Sequence, residues 1–205
     1  KHKNNNKLRF NIAVIEQDLN LKEKAIQNYK YLIENYNHIK SMVNLYLLLI
    51  KEFNYKEALQ LIEKILETDN SHLSVWSDKA YVLYKIGNIN ESIKICNDIL
   101  NNQKNNLYIK NILASCFLYK ELYDESEKLI LEGISIDPNF VPLLNSLGKL
   151  HYKKRHLKDS EKAYLKALEV DPESYQSLNN LAGFYLEIGK SEDALKYYKK
   201  AENKE

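Results

Sequence analysis

Near its C-terminal end the chain shows apolar positions at helical spacing. Between Tyr175 and Ile188, Leu178, Leu181, Ala182 and Tyr185 stand at i, i+3, i+4 and i+7, one stripe on a 3.6-residue helix. Gly189 follows, the residue that most easily takes the left-handed conformation ending a helix. Ser191 opens a second segment with Glu192 and Asp193 in its first turn, where the positive end of the helix dipole favours acids. Leu195, Tyr198 and Ala201 are expected to continue a buried stripe along it. The pattern predicts two antiparallel helices. Their small residues, Ala182 and Ala194, would allow the backbones to approach closely.

The same pattern recurs upstream. Asp137-Pro138-Asn139 and Asp171-Pro172-Glu173 are 34 residues apart. Small residues repeat at that interval as Ala58, Ser92, Ser126, Ser160 and Ala194, and again as Ala80, Ala114, Gly148 and Ala182. Tyr46 stands where the second series would begin. An N-terminal unit holding Ala13, Ala25 and Tyr29 slips by one residue, so one of its linkers must differ in length. Fixed self-similarity of this length marks a repeat architecture. The predicted helix pairs are 7–19/22–36, 39–52/55–68, 73–86/89–102, 107–120/123–136, 141–154/157–170 and 175–188/191–204. Residues 1–6 read as a linker or frayed end. Residues 7–205 read as one superhelical domain with repeats at about 7–38, 39–72, 73–106, 107–140, 141–174 and 175–205.

These units resemble tetratricopeptide repeats, whose helix–turn–helix pattern is W-x2-L-G-x2-Y, then A-x3-F, then A, then P. The last two units match best, through Leu144, Leu147, Gly148, Ser160, Tyr164, Ala167 and Pro172, then Leu178, Leu181, Ala182, Tyr185, Ala194, Tyr198 and Ala201. Trp76, Ala80, Gly87 and Ser92 match in the third. Departures are Lys110 in place of a large aromatic residue and the missing proline at the end of the first three units. The resemblance implies an all-α fold, a right-handed α-solenoid of about twelve antiparallel helices. It also implies a concave groove lined by the first helix of each pair, through its second, fifth, sixth, ninth, twelfth and thirteenth positions. The groove residues so assigned are Asn44, Tyr81, Tyr84, Lys85, Tyr108, Asn111, Tyr119, Asn145, Lys149, Tyr152, Lys153 and Asn180, with Lys40 and Asp78 beside them. Tyrosine suits a binding surface because it offers area at little rotamer cost. Asparagine pairs with a peptide backbone, and lysine favours acidic segments. The expected partner is therefore a peptide or protein with acidic and apolar residues. The full two-carboxylate clamp of chaperone-tail binders is absent.

Composition narrows the alternatives. Gly (5) and Pro (3) are scarce, which disfavours a turn-rich β fold. Hydrophobic residues make up 44% and charged residues 28%, a globular mixture. A formal charge of +2 gives no support for a nucleic-acid face. No apolar run approaches the ~18 residues of a membrane span. Cys96 and Cys116 fall on apolar stripes and read as small core residues. His38 and His72 read as solvated loop residues and His151 as a packed one. His151 and His156 show no metal-binding helix spacing and no matched carboxylate, so neither metal nor cofactor is expected. No nucleophile elbow or phosphate-cradling loop occurs. The expectation is a non-enzymatic interaction scaffold, a piece of a longer protein since the chain begins at Lys1. The alternatives are a regulatory or substrate-recruiting repeat domain of a larger enzyme, or a self-assembly module joined through the C-terminal repeat.

Overall fold

The computed structural model describes residues 2–202. Twelve helices and no strands occur among them. They pair as α1 (His2–Asp18) with α2 (Lys22–Tyr36), α3 (Ile39–Lys51) with α4 (Tyr55–Thr68), and α5 (Leu73–Lys85) with α6 (Ile89–Asn102). The later pairs are α7 (Leu107–Tyr119) with α8 (Tyr123–Ile136), α9 (Val141–Lys153) with α10 (Leu157–Val170), and α11 (Tyr175–Glu187) with α12 (Ser191–Glu202). The fold is an all-α stack of helical hairpins, of the α-solenoid class. Helix α1 starts at His2, ahead of the expected Lys7, and Lys1 lies outside the described residues.

The chain divides into two compact units at Ile95–Cys96. In the first, α1 to α5 pack in sequence around Ala13, Tyr29, Met42, Leu45, Ile62 and Ile65. In the second, α7 to α12 pack likewise, and α9 also touches both α7 and α11. Its cores are Ala114, Leu118, Ile130, Leu143 and Leu150, then Tyr164, Leu181, Phe184, Tyr185 and Ala194.

The two series of small residues meet inside each hairpin. The Ser92 hydroxyl donates to the Ala80 carbonyl at 2.7 Å, Ser126 to Ala114 at 2.9 Å, and Ser160 to Gly148 at 2.8 Å. All three serines are fully buried, so each hydroxyl needs such an acceptor. The contact requires small side chains on both helices. At Gly148 a Cβ would stand 2.6–2.8 Å from the Tyr164 ring. Tyr46, the exception, is buried and directs its hydroxyl to Asp78 of α5 at 2.9 Å.

Each hairpin turn places one residue in the left-handed region: Asn20, Phe53, Gly87, Glu121, Arg155 and Gly189. Only two of these six are glycine, so the turns are largely invisible to a search for glycine caps. The next amide reaches back to close the turn, as Asn88 N–H does to the Leu83 carbonyl at 2.9 Å. In the N-terminal unit the spacing from Ala13 to Ala25 equals that from Tyr46 to Ala58. The shortened linker is therefore the one after α2, where only Asn37 and His38 separate the helices and Asn37 takes φ +48°.

One expected core stripe differs. Ala194 and Ala201 of α12 are buried, but Leu195 is 55% exposed and Tyr198 36%. The corresponding residues of α10 are Glu161 and Tyr164, and α11 packs over them: Tyr185 donates to Glu161, and Phe184 lies on Tyr164. No helix follows α12 among the described residues. Lys110 is likewise buried, its amine reaching Glu132 at 2.7 Å in place of aromatic packing.

Gly148→Ala is expected to destabilise the protein by about 1–3 kcal/mol through overpacking against Tyr164. The check is a lower denaturant midpoint with an unchanged slope. An unchanged midpoint would mean that the hairpin does not depend on this close approach.

Candidate functional site

The residues assigned to a binding face all lie on odd-numbered helices, each of which packs on its even-numbered partner behind it. In the first unit, Asn44 of α3 is half-buried and committed to the fold: its amide donates to the Tyr29 hydroxyl at 3.0 Å, which donates to Gln17 at 3.1 Å. Burial pushes the Tyr29 phenol up from its ordinary value. On α5, Tyr81 and Tyr84 are half-buried and Lys85 is exposed. Its amine stands 5.5 Å and 5.9 Å from their ring centres, within cation–π range. Tyr81 also meets Tyr55 edge-on at 6.3 Å. Partial desolvation lowers the Lys85 amine from the usual lysine range.

A cavity of about 440 Å³ lies at the N-terminal ends of α3 and α5, between Phe10, Val43, Ile65 and Val75. Lys40 and His72 contribute to its lining. The cavity is mostly apolar, and position-by-position reading of the groove does not reveal it, because Phe10 and Ile65 come from neighbouring helices. His38 is not the solvated loop residue expected. It is half-buried against Phe10, 5.2 Å between ring centres, and its Nδ1 accepts from the Ser41 amide to cap α3. Burial lowers its pKa, with Lys40 adding to the effect. His72 sits beside Asp69, 3.2 Å between Nε2 and the carboxylate.

In the second unit a polar seam crosses α7, α9 and α11. The Ser146 hydroxyl donates to Asn111 Oδ1 at 2.7 Å, and Asn145 Nδ2 donates to the Ser177 hydroxyl at 2.8 Å. Asn145 is 6% exposed, and its Oδ1 is buried with no hydrogen-bond donor. Lys149 and Lys153 follow on the same helix at i+4 and i+8, both exposed. Tyr152 packs edge-on against Phe184 at 6.0 Å and donates to Glu187 at 3.1 Å. Its phenol is raised by desolvation and by that carboxylate. Asn180 accepts from Gln176 at 3.0 Å, while Tyr108 and Tyr119 are exposed on α7. Thus α9 gathers four of the assigned residues along one helix. Asn145 and Tyr152 are bonded to α11, as Asn44 is to α2 and Asn111 to α9.

Cys96 and Cys116 are fully buried, as expected of small core residues. At the turn after α9 the sequence offered no carboxylate matched to His151 and His156. The fold supplies Asp159, and one ligand-type atom from each of the three lies within 4.8 Å of the others. No helix among the described residues is long and apolar enough to cross a membrane.

Asp78, which accepts from Tyr46, has its pKa raised by burial, partly offset by that hydrogen bond. A carboxyl whose folded pKa is raised favours the folded state when protonated, and that stability is lost as pH rises through the folded pKa. Asp78→Asn keeps an acceptor for Tyr46 and removes the buried charge. It is expected to melt higher than the wild type at pH 7, and the gap should narrow as pH falls toward about 4, the ordinary aspartate range. A gap independent of pH would refute this account.

Models of the tetratricopeptide repeat match residues 49–116, 141–174 and 163–196. No curated protein matches the chain. Among solved structures, a thermophilic tetratricopeptide repeat protein of Thermus thermophilus, TTC0263, superimposes with a TM-score of 0.73 at 19% identity, covering 82% of this chain and 91% of that one. A MamA protein from Desulfovibrio magneticus RS-1 superimposes at 0.53 with 14% identity, covering 81% of this chain and 94% of that one. At these identities the likeness establishes the shared fold.

Proposed function

We infer that this chain, which belongs to the tetratricopeptide repeat family, is a non-catalytic scaffold that holds a peptide segment of a partner protein against the odd-helix face. Proteins of this family bind protein partners and are generally non-catalytic. The observation that carries the finer reading is the grouping of Asn145, Lys149, Tyr152 and Lys153 on α9, with both lysines exposed. These four side chains stand at i, i+4, i+7 and i+8, one stripe of the helix. Lys149 and Lys153 continue along the helix and would take carboxylates of the same segment. Tyr152, on the same helix, would cover its apolar side chains. The partner class is therefore a peptide with acidic and apolar residues interspersed.

The test is a pull-down from the source cells with the wild-type chain beside a Lys149→Ala/Tyr152→Ala/Lys153→Ala variant. A partner captured by the wild type should then bind the variant at least ~10-fold more weakly in calorimetry, ~1.4 kcal/mol, with part of the wild-type affinity lost at high salt. Equal affinity would remove this face from the reading.

A second reading rests on Leu195 and Tyr198, exposed on α12 where the corresponding α10 face is covered by a helix hairpin. Helix α1 exposes Leu8, Ile12 and Ile15 at positions whose α9 counterparts, Leu143, Leu147 and Leu150, are packed in a core. A second copy of the chain would bring these two faces together. Light scattering should then give a mass that rises with concentration and is held at the monomer value by Leu195→Lys. A monomer mass throughout would exclude it.

A further inference from the structure

The turn between α9 and α10 carries chemistry that partner binding does not use. Arg155 takes φ +63°, its N–H donates to the Tyr152 carbonyl at 3.0 Å, and the His156 N–H donates to the His151 carbonyl at 2.8 Å. This closure brings the His156 ring to His151, with 6.1 Å between centres and 37° between planes. His156 is also the N-cap residue of α10, and Asp159 lies in that helix's first turn. The three side chains are therefore gathered by the backbone of one hairpin. One ligand-type atom from each lies within 4.8 Å of the others. Nδ1 of His151 is buried and has no hydrogen-bond partner, so in the tautomer that leaves it unprotonated no protein donor occupies its lone pair.

The other hairpins show what is particular here. At the places of His156 and Asp159, earlier repeats have Asn54 with Glu57 and Asn88 with Glu91. In each pair the amide donates to the carboxylate, at 2.9 and 2.8 Å. The acid is thus an ordinary first-turn residue of the repeat. Two imidazoles above it are not. At the place of His151 other hairpins have Leu83, Phe117 and Tyr185, which contribute packing but no strong metal ligand.

We propose that His151, His156 and Asp159 form a binding site for one divalent transition-metal ion, of the class that accepts imidazole and carboxylate ligands together, with zinc as its representative. Water supplies the remaining coordination position. Ligand atoms around tetrahedral zinc stand about 3.4 Å apart, given bonds of about 2.0–2.2 Å. The trio contracts to that spacing by side-chain rotation of His156 and Asp159, which are exposed, about a better-held His151. The Lys154 ammonium, in the same turn, is paired with Glu127 at 2.6 Å and Asp124 at 3.3 Å on α8. A bound ion would clip the C-terminal end of α9 to the N-terminal end of α10. The proposal does not depend on the partner-binding reading.

The experiment is a calorimetric titration of the metal-free chain with zinc, with cobalt(II) absorption as a second readout. The variants are His156→Asn and Asp159→Asn. His156→Asn installs the residue that the second and third hairpins use at this cap, so the helix start is preserved, and circular dichroism confirms it. The wild type should bind one zinc per chain, give a visible cobalt band, and melt higher with zinc present. His156→Asn should bind at least ~10-fold more weakly, since even outer-shell losses cost about 10–100-fold, and should lose the cobalt band and the zinc-dependent rise in melting temperature. Absence of saturable zinc binding overturns the proposal. So does zinc binding of equal strength in the folded His156→Asn variant, which would assign the ion to other groups such as His72 with Asp69.

Discussion

The close approach of the two helices within each hairpin governs the rest of the structure. Where Ser92, Ser126 and Ser160 donate to the Ala80, Ala114 and Gly148 carbonyls, two backbones meet with almost no side chain between them. A buried hydroxyl without an acceptor would be costly, so serine at these sites ties one helix to one point on the other. Alanine at Ala58 and Ala194 keeps the spacing without the bond. Tyr164 can then pack directly against Gly148, and Phe184 packs on Tyr164 from the next hairpin. Packing between repeats is thus built on a contact inside one repeat.

Because that contact and the left-handed turn residue fix the hairpin, the remaining positions can vary without disturbing it. The chain uses this freedom in two ways. Along the odd-numbered helices it places amides and hydroxyls that bond from one hairpin to the next, as Ser146 does with Asn111 and Asn145 with Ser177. These bonds define which polar groups are spent and which remain available. The turns offer a second kind of freedom, because their backbone geometry is the same whether the side chain is asparagine, leucine or histidine. His156 reaches His151 through a backbone bond that every hairpin makes in some form.

The helix boundaries were legible in the sequence to within about one residue over most of the chain, because the 34-residue interval repeats a physical requirement, smallness at two facing positions. The turns were less so. Gly87 and Gly189 could be recognised, but Phe53, Glu121 and Arg155 take the same left-handed conformation without glycine's signature. They are held there by the closing hydrogen bonds, at a local cost that composition does not display. Of the assigned face, Lys85, Lys149, Lys153, Tyr108 and Tyr119 are exposed as a surface role requires. Asn44 and Asn111 are bonded to other helices, through partners about one helix or one repeat away in sequence. Periodicity gives the side of a helix on which a residue lies but not the partner that reaches it.

The sequence by itself therefore determined the all-α class, the hairpin unit, its number of copies and the contact that closes it. These depend on interactions within one repeat length, and they recur often enough to be read. Only the tertiary structure decided that Asn145 keeps an unpaired buried oxygen, that Lys110 is buried against Glu132, that Leu195 and Tyr198 stand exposed, and that Asp159 joins two histidines. Each of these depends on which surface a neighbouring helix or turn covers. That coverage is set by three-dimensional packing of dissimilar side chains, which leaves no period in the chain.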